Sequence, residues 1–324
     1  MHKQLAISLD TPFKQEVFEG LTSYPKFLSS KYIYDKAGDK LFQDIMNMPE
    51  YYLTNTEYAI IEQHKIQLAH MFSCGNLPFH LIEMGAGDGK KTKILLRHFT
   101  QQNLDFTFRP IDISQNALDQ LQINLKREIP RLRTEPLQGN YFETLRKLNF
   151  NTEERKVILF LGSNIGNLCH EEAIDFLSQI QEYMQPEDLL FIGFDQKKNP
   201  ETILNAYNDE TGITAKFNKN LLVRINKELD ANFNIDCFKH WEVYDPETGT
   251  AKSYLVAKSP QKVFIQALDL HISFKAWETI HTEISQKYDD RTVQWLAEQS
   301  NLTVIDEYSD PKQFYKNYLF KKSY

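Results

Sequence analysis

The chain of 324 residues has little cysteine, no excess of basic charge and no long apolar run, and each lack removes a class of protein. Its three cysteines, Cys74, Cys169 and Cys237, lie far apart in the sequence. They make neither a metal-ligand spacing nor a disulfide framework, and are expected to be packing residues in a reducing compartment. Nowhere do about 18 apolar residues run together, so no membrane-spanning helix is expected. The opening residues, MHKQLAISLDTPFKQ, hold no apolar core of signal-peptide length. The net charge is −7, and basic residues gather only in short clusters such as Lys90-Lys91 and Lys321-Lys322, which argues against a nucleic-acid partner. The expectation is a cytoplasmic monomer that binds neither nucleic acid nor membrane.

What is present is an ordinary globular balance of apolar (41%) and charged (25%) residues with an excess of aromatics, at 13%. That excess suits a large core or a pocket that stacks on flat ligands. From about 58 to 195, short apolar runs alternate with helical periodicity. FHLIEMG (79–85) reads as a strand and KKTKILLRHF (90–99) as a helix. FTFRPIDIS (106–114) is a second strand, and TEPLQGN (134–140) a weaker one. KVILFLGSNIGN (156–167) and DLLFIGFD (188–195) read as further strands around the helix EEAIDFLSQIQEYM. Such alternation predicts a parallel sheet wrapped by helices. After 196 the pattern changes: segments near 221–227, 238–244, 252–258 and 262–274 read as strands, which predicts an antiparallel insertion. The tail returns to a helix (DDRTVQWLAEQS) and two strands (LTVIDEY, YKNYLFKK). The predicted division is 58–196 with 285–324, and 1–57 with 197–284.

Only 12 glycines occur in the chain, yet three of them fall in LIEMGAGDGKKTKILL, residues 81–96. A strand turning through glycine into a helix brings backbone close to a ligand. A nucleoside-triphosphate loop needs Gly-Lys-Ser/Thr; here Lys91 follows Gly89-Lys90, and Thr92 comes one place late. A dinucleotide fingerprint needs its third glycine at position 90, which holds lysine. What remains is an acid followed by alternating glycines: Glu83, Gly85, Gly87, Gly89. This resembles the first motif of S-adenosylmethionine-dependent methyltransferases. Asp112, ending the second strand, then offers an acceptor-only carboxylate suited to two ribose hydroxyls.

Four more stretches narrow the likeness: YIYDKAGDKLFQDIMNMPEYYLTNTE (32–57), FLGSNIGNL (160–168), AYNDETGITAKFNKN (206–220) and HTEISQKY (281–288). With the glycine loop they closely resemble the histidine-specific N-alpha-methyltransferases of the ergothioneine pathway, in order along nearly the whole chain. The resemblance implies an α/β fold: a Rossmann-like domain with a mostly parallel sheet binds S-adenosyl-L-methionine. A second α+β lobe, built from the N-terminus and the insertion, binds substrate. It implies trimethylation of the α-amino group of free L-histidine to hercynine, with no metal. By position, Gly85, Lys91, Asp112 and the pair Asn140-Tyr141 match the family's cofactor contacts. Tyr51, Asn167 and Tyr207 match contacts to the amino and carboxylate end of histidine, with Gly162 giving room. Tyr34 matches a tyrosine near the reacting centre, where a phenol ring tolerates a growing ammonium. Glu283 and Ser285, two apart on an extended segment, point to one face and suit the two imidazole nitrogens.

Two positions depart from the family pattern. Asn140 stands where aspartate is usual; its amide oxygen still accepts from an adenine amino group. Ser253 lies where methionine often lines the imidazole pocket, leaving space for a water or a larger aromatic substrate. Other readings are an N-methyltransferase of another free amino acid, tryptophan or tyrosine, and a catalytically silent cofactor-binding regulator. A nicotinamide-dependent oxidoreductase is opposed by Lys90.

Overall fold

The computed structural model describes residues 9–147 and 154–323; the first eight residues, assigned to the second lobe on sequence grounds, lie outside the described residues. Helix α1 (Pro12–Thr22) begins at Thr11, whose hydroxyl accepts the Lys14 N–H, with proline in the first turn where no intrahelical N–H is needed. The short strand β1 (Lys26–Phe27) follows, and Asp35 then caps α2 (Lys36–Met46) by accepting from Ala37 and Gly38 N–H. Helix α3 (Tyr52–Ser73) buries Leu53, Ile60, Ile61, Leu68 and Phe72 together with one acid, Glu57.

Strands β2 (Phe79–Met84), β3 (Phe106–Asp112), β4 (Leu137–Gln138), β5 (Arg155–Phe160) and β6 (Leu189–Asp195) then alternate with α4 (Thr92–Gln101), α5 (Gln115–Glu128), α6 (Tyr141–Lys147) and α7 (His170–Glu182). Every residue of β2 and β6 is buried, which is why they read as continuous apolar runs. The insertion carries α8 (Pro200–Tyr207), α9 (Ile213–Glu228), β7 (Phe238–Asp245), β8 (Thr250–Ala257), β9 (Gln261–Ile265), β10 (Leu270–Phe274) and β11 (Thr279–Gln286). Helix α10 (Asp290–Gln299) and strands β12 (Leu302–Ser309) and β13 (Tyr315–Lys322) close the chain.

Two compact units result. The first comprises residues up to Tyr52 and Lys198–Ser285; the second comprises Leu53–Lys197 and the chain from Gln286 onward. The boundary falls before residue 57 because α3 runs unbroken from Tyr52. The first unit holds a sheet in the order β1-β11-β8-β7 and a separate hairpin, β9-β10. The second holds seven strands in the order β12-β13-β6-β5-β2-β3-β4, with β2 to β6 parallel and the last two strands antiparallel. Its core includes Ile82, Ile158, Phe160, Leu177, Ile192, Phe194 and Val293. The chain runs outward from β2 to β4 and returns to lay β5 on the other side of β2. The loops leaving β2 and β5 therefore flank a topological switch point, where open α/β sheets bind ligands.

Several sequence expectations need correction. Residues 221–227 are helical, not a strand: Phe217, Leu221, Leu222 and Ile225 are buried at helical spacing in α9. The apolar run 156–167 leaves the strand after Phe160, because Gly162 and Ser163 adopt left-handed φ values of 86° and 56°. A single turn of 3-10 helix, Asn164–Asn167, follows. The strand expected at 134–140 shrinks to Leu137–Gln138 and an isolated bridge at Thr134. Helix α4 starts at Thr92, two residues after the expected position. Among the described residues, no helix is long and apolar enough to cross a membrane.

Candidate active site

In the second unit the glycine loop leaves β2 with φ of 74°, 52° and 65° at Gly85, Gly87 and Gly89, conformations that side chains resist. At Gly85 a Cβ would also stand 2.7 Å from the Tyr141 hydroxyl, and at Gly89 the same distance from a Leu121 methyl. The close approach to α5 is thus made by Gly89, while Lys90 is exposed. Asp112, at the end of β3, accepts from Gly87 N–H (3.1 Å) and Ser114 N–H (2.9 Å). Each carboxylate oxygen keeps a further lone pair for a ligand. Tyr141 packs edge-on against Phe160 and Phe176, and burial pushes its phenol up to about 12. Asn140 uses its amide oxygen to cap α6, accepting from Phe142 N–H at 3.0 Å.

Beneath the loop lies Glu83, only 4% exposed. One of its oxygens takes the Thr92 hydroxyl; the other, Oε2, is buried without a hydrogen-bond partner. Burial raises its pKa from 4.5 to about 8; Thr92 and Lys91 oppose the shift, and Glu57 and Asp88 add to it. A carboxyl with a raised folded-state pKa holds its proton where the unfolded chain has lost it. Stability therefore falls as pH rises from 4.5 towards 8, and this group adds no further fall above that. Replacing it by glutamine is expected to flatten this decline, read as denaturation midpoints of the ligand-free protein across the same pH window.

The loop leaving β5 is held on several sides. The Asp195 N–H donates to Ser163 Oγ at 3.0 Å, and the Tyr288 hydroxyl donates to the Ile165 carbonyl at 3.1 Å. Gly166 lies against the Gln286 backbone, where a Cβ would meet the carbonyl oxygen at 2.9 Å. Asn167 ends this turn and is exposed. Asn164 was not singled out from sequence, yet its amide lies within 3.7 Å of where a Cβ on Gly85 or Gly162 would stand. At the loop's entrance Gly162 faces Lys91, whose Nζ would be 3.2 Å from a Cβ there. Gly85, Lys91, Asp112, Asn140, Tyr141, Gly162 and Asn167 thus all belong to loops and helix starts at the carboxyl ends of the parallel strands.

The first unit gathers the other five predicted residues. Tyr34 lies edge-on to Phe42 and Phe217, at centroid distances of 5.6 and 5.4 Å. Phe42 in turn meets Tyr51 at 6.3 Å, and Tyr51 meets Tyr207 at 6.2 Å. The Tyr207 hydroxyl shares a 2.8 Å hydrogen bond with Ser285 on β11. Tyr34 as a whole residue stays 38% exposed. Its phenol is nevertheless desolvated, and this, with the Glu283 carboxylate next in weight, holds it well above the usual tyrosine range. It is a neutral phenol at any physiological pH.

Ser253 lies on β8. It is 3% exposed and its hydroxyl donates to Glu242 at 2.5 Å. Its carbonyl accepts from Thr282, whose hydroxyl also reaches Asn218 at 2.6 Å. Nearby His240 is kept uncharged by burial, with a pKa lowered to about 4. The hydroxyl is therefore committed to a buried polar cluster. Among the described residues no group of histidine, cysteine, aspartate or glutamate is arranged to hold a metal ion.

The sequence profile of the histidine-specific, S-adenosylmethionine-dependent methyltransferases matches residues 13–322 of the chain. The histidine N-alpha-methyltransferase of Mycolicibacterium smegmatis is 33% identical over 298 residues, covering 92% of this chain and 91% of that protein. Its counterpart from Mycobacterium tuberculosis is 32% identical over 280 residues, 86% of this chain and 85% of that one. Ergothioneine biosynthesis protein 1 of Schizosaccharomyces pombe is 29% identical over 303 residues, 92% of this chain and 39% of that longer protein.

Proposed function

Since the chain belongs to the histidine-specific, S-adenosylmethionine-dependent methyltransferases, we propose that it methylates the α-amino nitrogen of free L-histidine three times, giving hercynine as in ergothioneine synthesis. The observation that carries the substrate assignment is the cluster on β11. Ser285 is bonded to Tyr207, and Glu283, two residues away on the same strand, acts on Tyr34.

The second unit fits the methyl donor. Gly85 has no room for a side chain, Asp112 retains lone pairs for a ribose diol, and Tyr141 with Asn140 borders the adenine. The orphan oxygen of Glu83 and the ammonium of Lys91 suit the donor's amino and carboxylate groups. S-adenosylmethionine would supply a sulfonium methyl, transferred in line to the neutral amine as the carbon–sulfur bond breaks and S-adenosylhomocysteine leaves. Alignment of the reacting atoms accounts for roughly 7–11 kcal/mol in well-placed reactions. The α-ammonium of a free amino acid, beside its own carboxylate, is mostly charged at neutral pH, and desolvation next to a sulfonium favours the neutral amine. Tyr34, neutral and ring-packed, serves as a hydrogen-bonding and cation-tolerant wall, not as a base. After each of the first two transfers the nitrogen must lose a proton to attack again. The third leaves a quaternary nitrogen, which ends the sequence.

Asn140 gives this chain a weaker adenine contact than an aspartate would, because its single oxygen also caps α6. Asn140→Asp is expected to tighten cofactor binding about fivefold, through a charged acceptor at a helix N-terminus. Titration calorimetry with S-adenosylhomocysteine measures this directly.

The substrate assignment is tested by incubating the protein with S-adenosylmethionine and equimolar histidine, tryptophan and tyrosine. Mass spectrometry is expected to find methyl groups on histidine alone. Methylated tryptophan or tyrosine would transfer the assignment to that amino acid. If S-adenosylhomocysteine binds but no amino acid is methylated, the chain is a silent cofactor-binding protein.

A further inference from the structure

Glu57 lies on α3 and is fully buried. A buried carboxylate needs partners, and this one has three. Its Oε2 accepts from Lys91 Nζ at 2.5 Å and from the Gly162 N–H at 2.8 Å; its Oε1 accepts from Asn317 Nδ2 at 2.9 Å. Asn317 on β13 stands opposite Gly193 on β6 in the sheet register. A Cβ on Gly193 would overlap both Glu57 Oε1 and the Tyr315 hydroxyl, so the absent side chain makes the space into which Glu57 reaches.

We propose that Glu57 is a positioning residue that couples the two ligand sides of the second unit, holding Lys91 on the cofactor side and the Gly162–Asn167 loop on the amino-acid side. The proposal rests on the assignment of those two sides given above. Three features carry it. First, all three partners are donors, so only a group that accepts at both oxygens satisfies them. Glutamine must turn its NH2 towards a donor at one end or the other. Second, Lys91 is 19% exposed at its side chain, unlike its partner. Its ammonium has three N–H donors and Glu57 takes one, which leaves donors for a ligand carboxylate. Third, the Gly162 N–H opens the left-handed pair Gly162-Ser163 that turns the chain into the segment bearing Asn167. One carboxylate oxygen therefore sets where the ammonium stands and where that turn begins.

A purely structural ion pair would show itself in stability alone. The test measures thermal unfolding, the Kd for S-adenosylhomocysteine by calorimetry, and the KM for histidine at saturating S-adenosylmethionine. Glu57→Gln, Glu57→Asp and Lys91→Met are compared with the wild type. Glu57→Gln is expected to weaken S-adenosylhomocysteine binding and raise the histidine KM, each by about tenfold or more, the scale of a lost charge-assisted hydrogen bond. Lys91→Met is expected to lose cofactor affinity while largely keeping the histidine KM. Should Glu57→Gln fail to fold, Glu57→Asp decides: it keeps the charge but falls one methylene short, and is expected to shift both constants in the same directions. The proposal is overturned if the folded variants bind S-adenosylhomocysteine and use histidine as the wild type does, whatever happens to their unfolding temperature. A wild type that binds S-adenosylhomocysteine but ignores histidine would instead defeat the functional assignment, with the calorimetric arm still reading the link from Glu57 to Lys91.

Discussion

Glu283→Ala is expected to raise the KM for histidine roughly 100-fold, because it removes a charged hydrogen-bond acceptor worth up to about 3 kcal/mol. A neutral imidazole presents one ring N–H donor and one acceptor nitrogen, the tautomer deciding which is which, and protonation makes both donors. A carboxylate can only accept, so Glu283 selects the N–H; the Ser285 hydroxyl adapts to the other nitrogen, already oriented by its bond to Tyr207. An amino acid with a plain phenyl ring offers Glu283 no N–H to accept from. The loss should therefore fall on histidine recognition, with S-adenosylhomocysteine affinity unchanged. Glu283→Gln retains one acceptor and should lie between the two. Steady-state kinetics with varied histidine, beside calorimetry for the cofactor, separate these effects; an unchanged KM would remove Glu283 from the substrate site.

Asp112→Ala should weaken S-adenosylhomocysteine binding by about 100-fold or more, since two charge-assisted hydrogen bonds to a ribose diol disappear together. The carboxylate also ties Gly87 and Ser114 N–H, so its loss frees the middle of the glycine loop as well. The fold itself should lose little, because the Gly87 end of this contact lies at the surface where water replaces the lost acceptor. Asp112→Glu is not expected to restore binding: an extra methylene moves the carboxylate past the position that both backbone donors define. Calorimetry reads the affinity, and thermal unfolding reads the fold. A variant that binds normally would mean that the ribose is held elsewhere.

The second unit was legible because β2, β5 and β6 are buried almost throughout, and buried parallel strands appear as apolar runs that need no partner to be recognised. The glycine loop was legible through its company: the acid before it, Asp112 at the end of the next strand and the later strands in order. Within 221–227 alone α9 reads as a strand; the helical spacing of Phe217, Leu221 and Ile225 emerges only over a longer window. The turn at Gly162 was missed because Ser163 gives no sequence sign of its left-handed conformation. Tyr34, Tyr51 and Tyr207 are three among 16 tyrosines, and only the likeness of their surroundings to a family picked them out. Glu57 ends the stretch 32–57, and nothing local marks it. A buried acid is recognised by its partners, and Lys91, Gly162 and Asn317 are brought to it by strand register and loop geometry that no local pattern encodes.

The most direct measurement is to incubate the protein with histidine and S-adenosylmethionine bearing a deuterated methyl group, then fragment the product by mass spectrometry. The account predicts three labelled methyl groups, all on the α-nitrogen, with the imidazole unlabelled. Label on an imidazole nitrogen, or none on histidine at all, would contradict it.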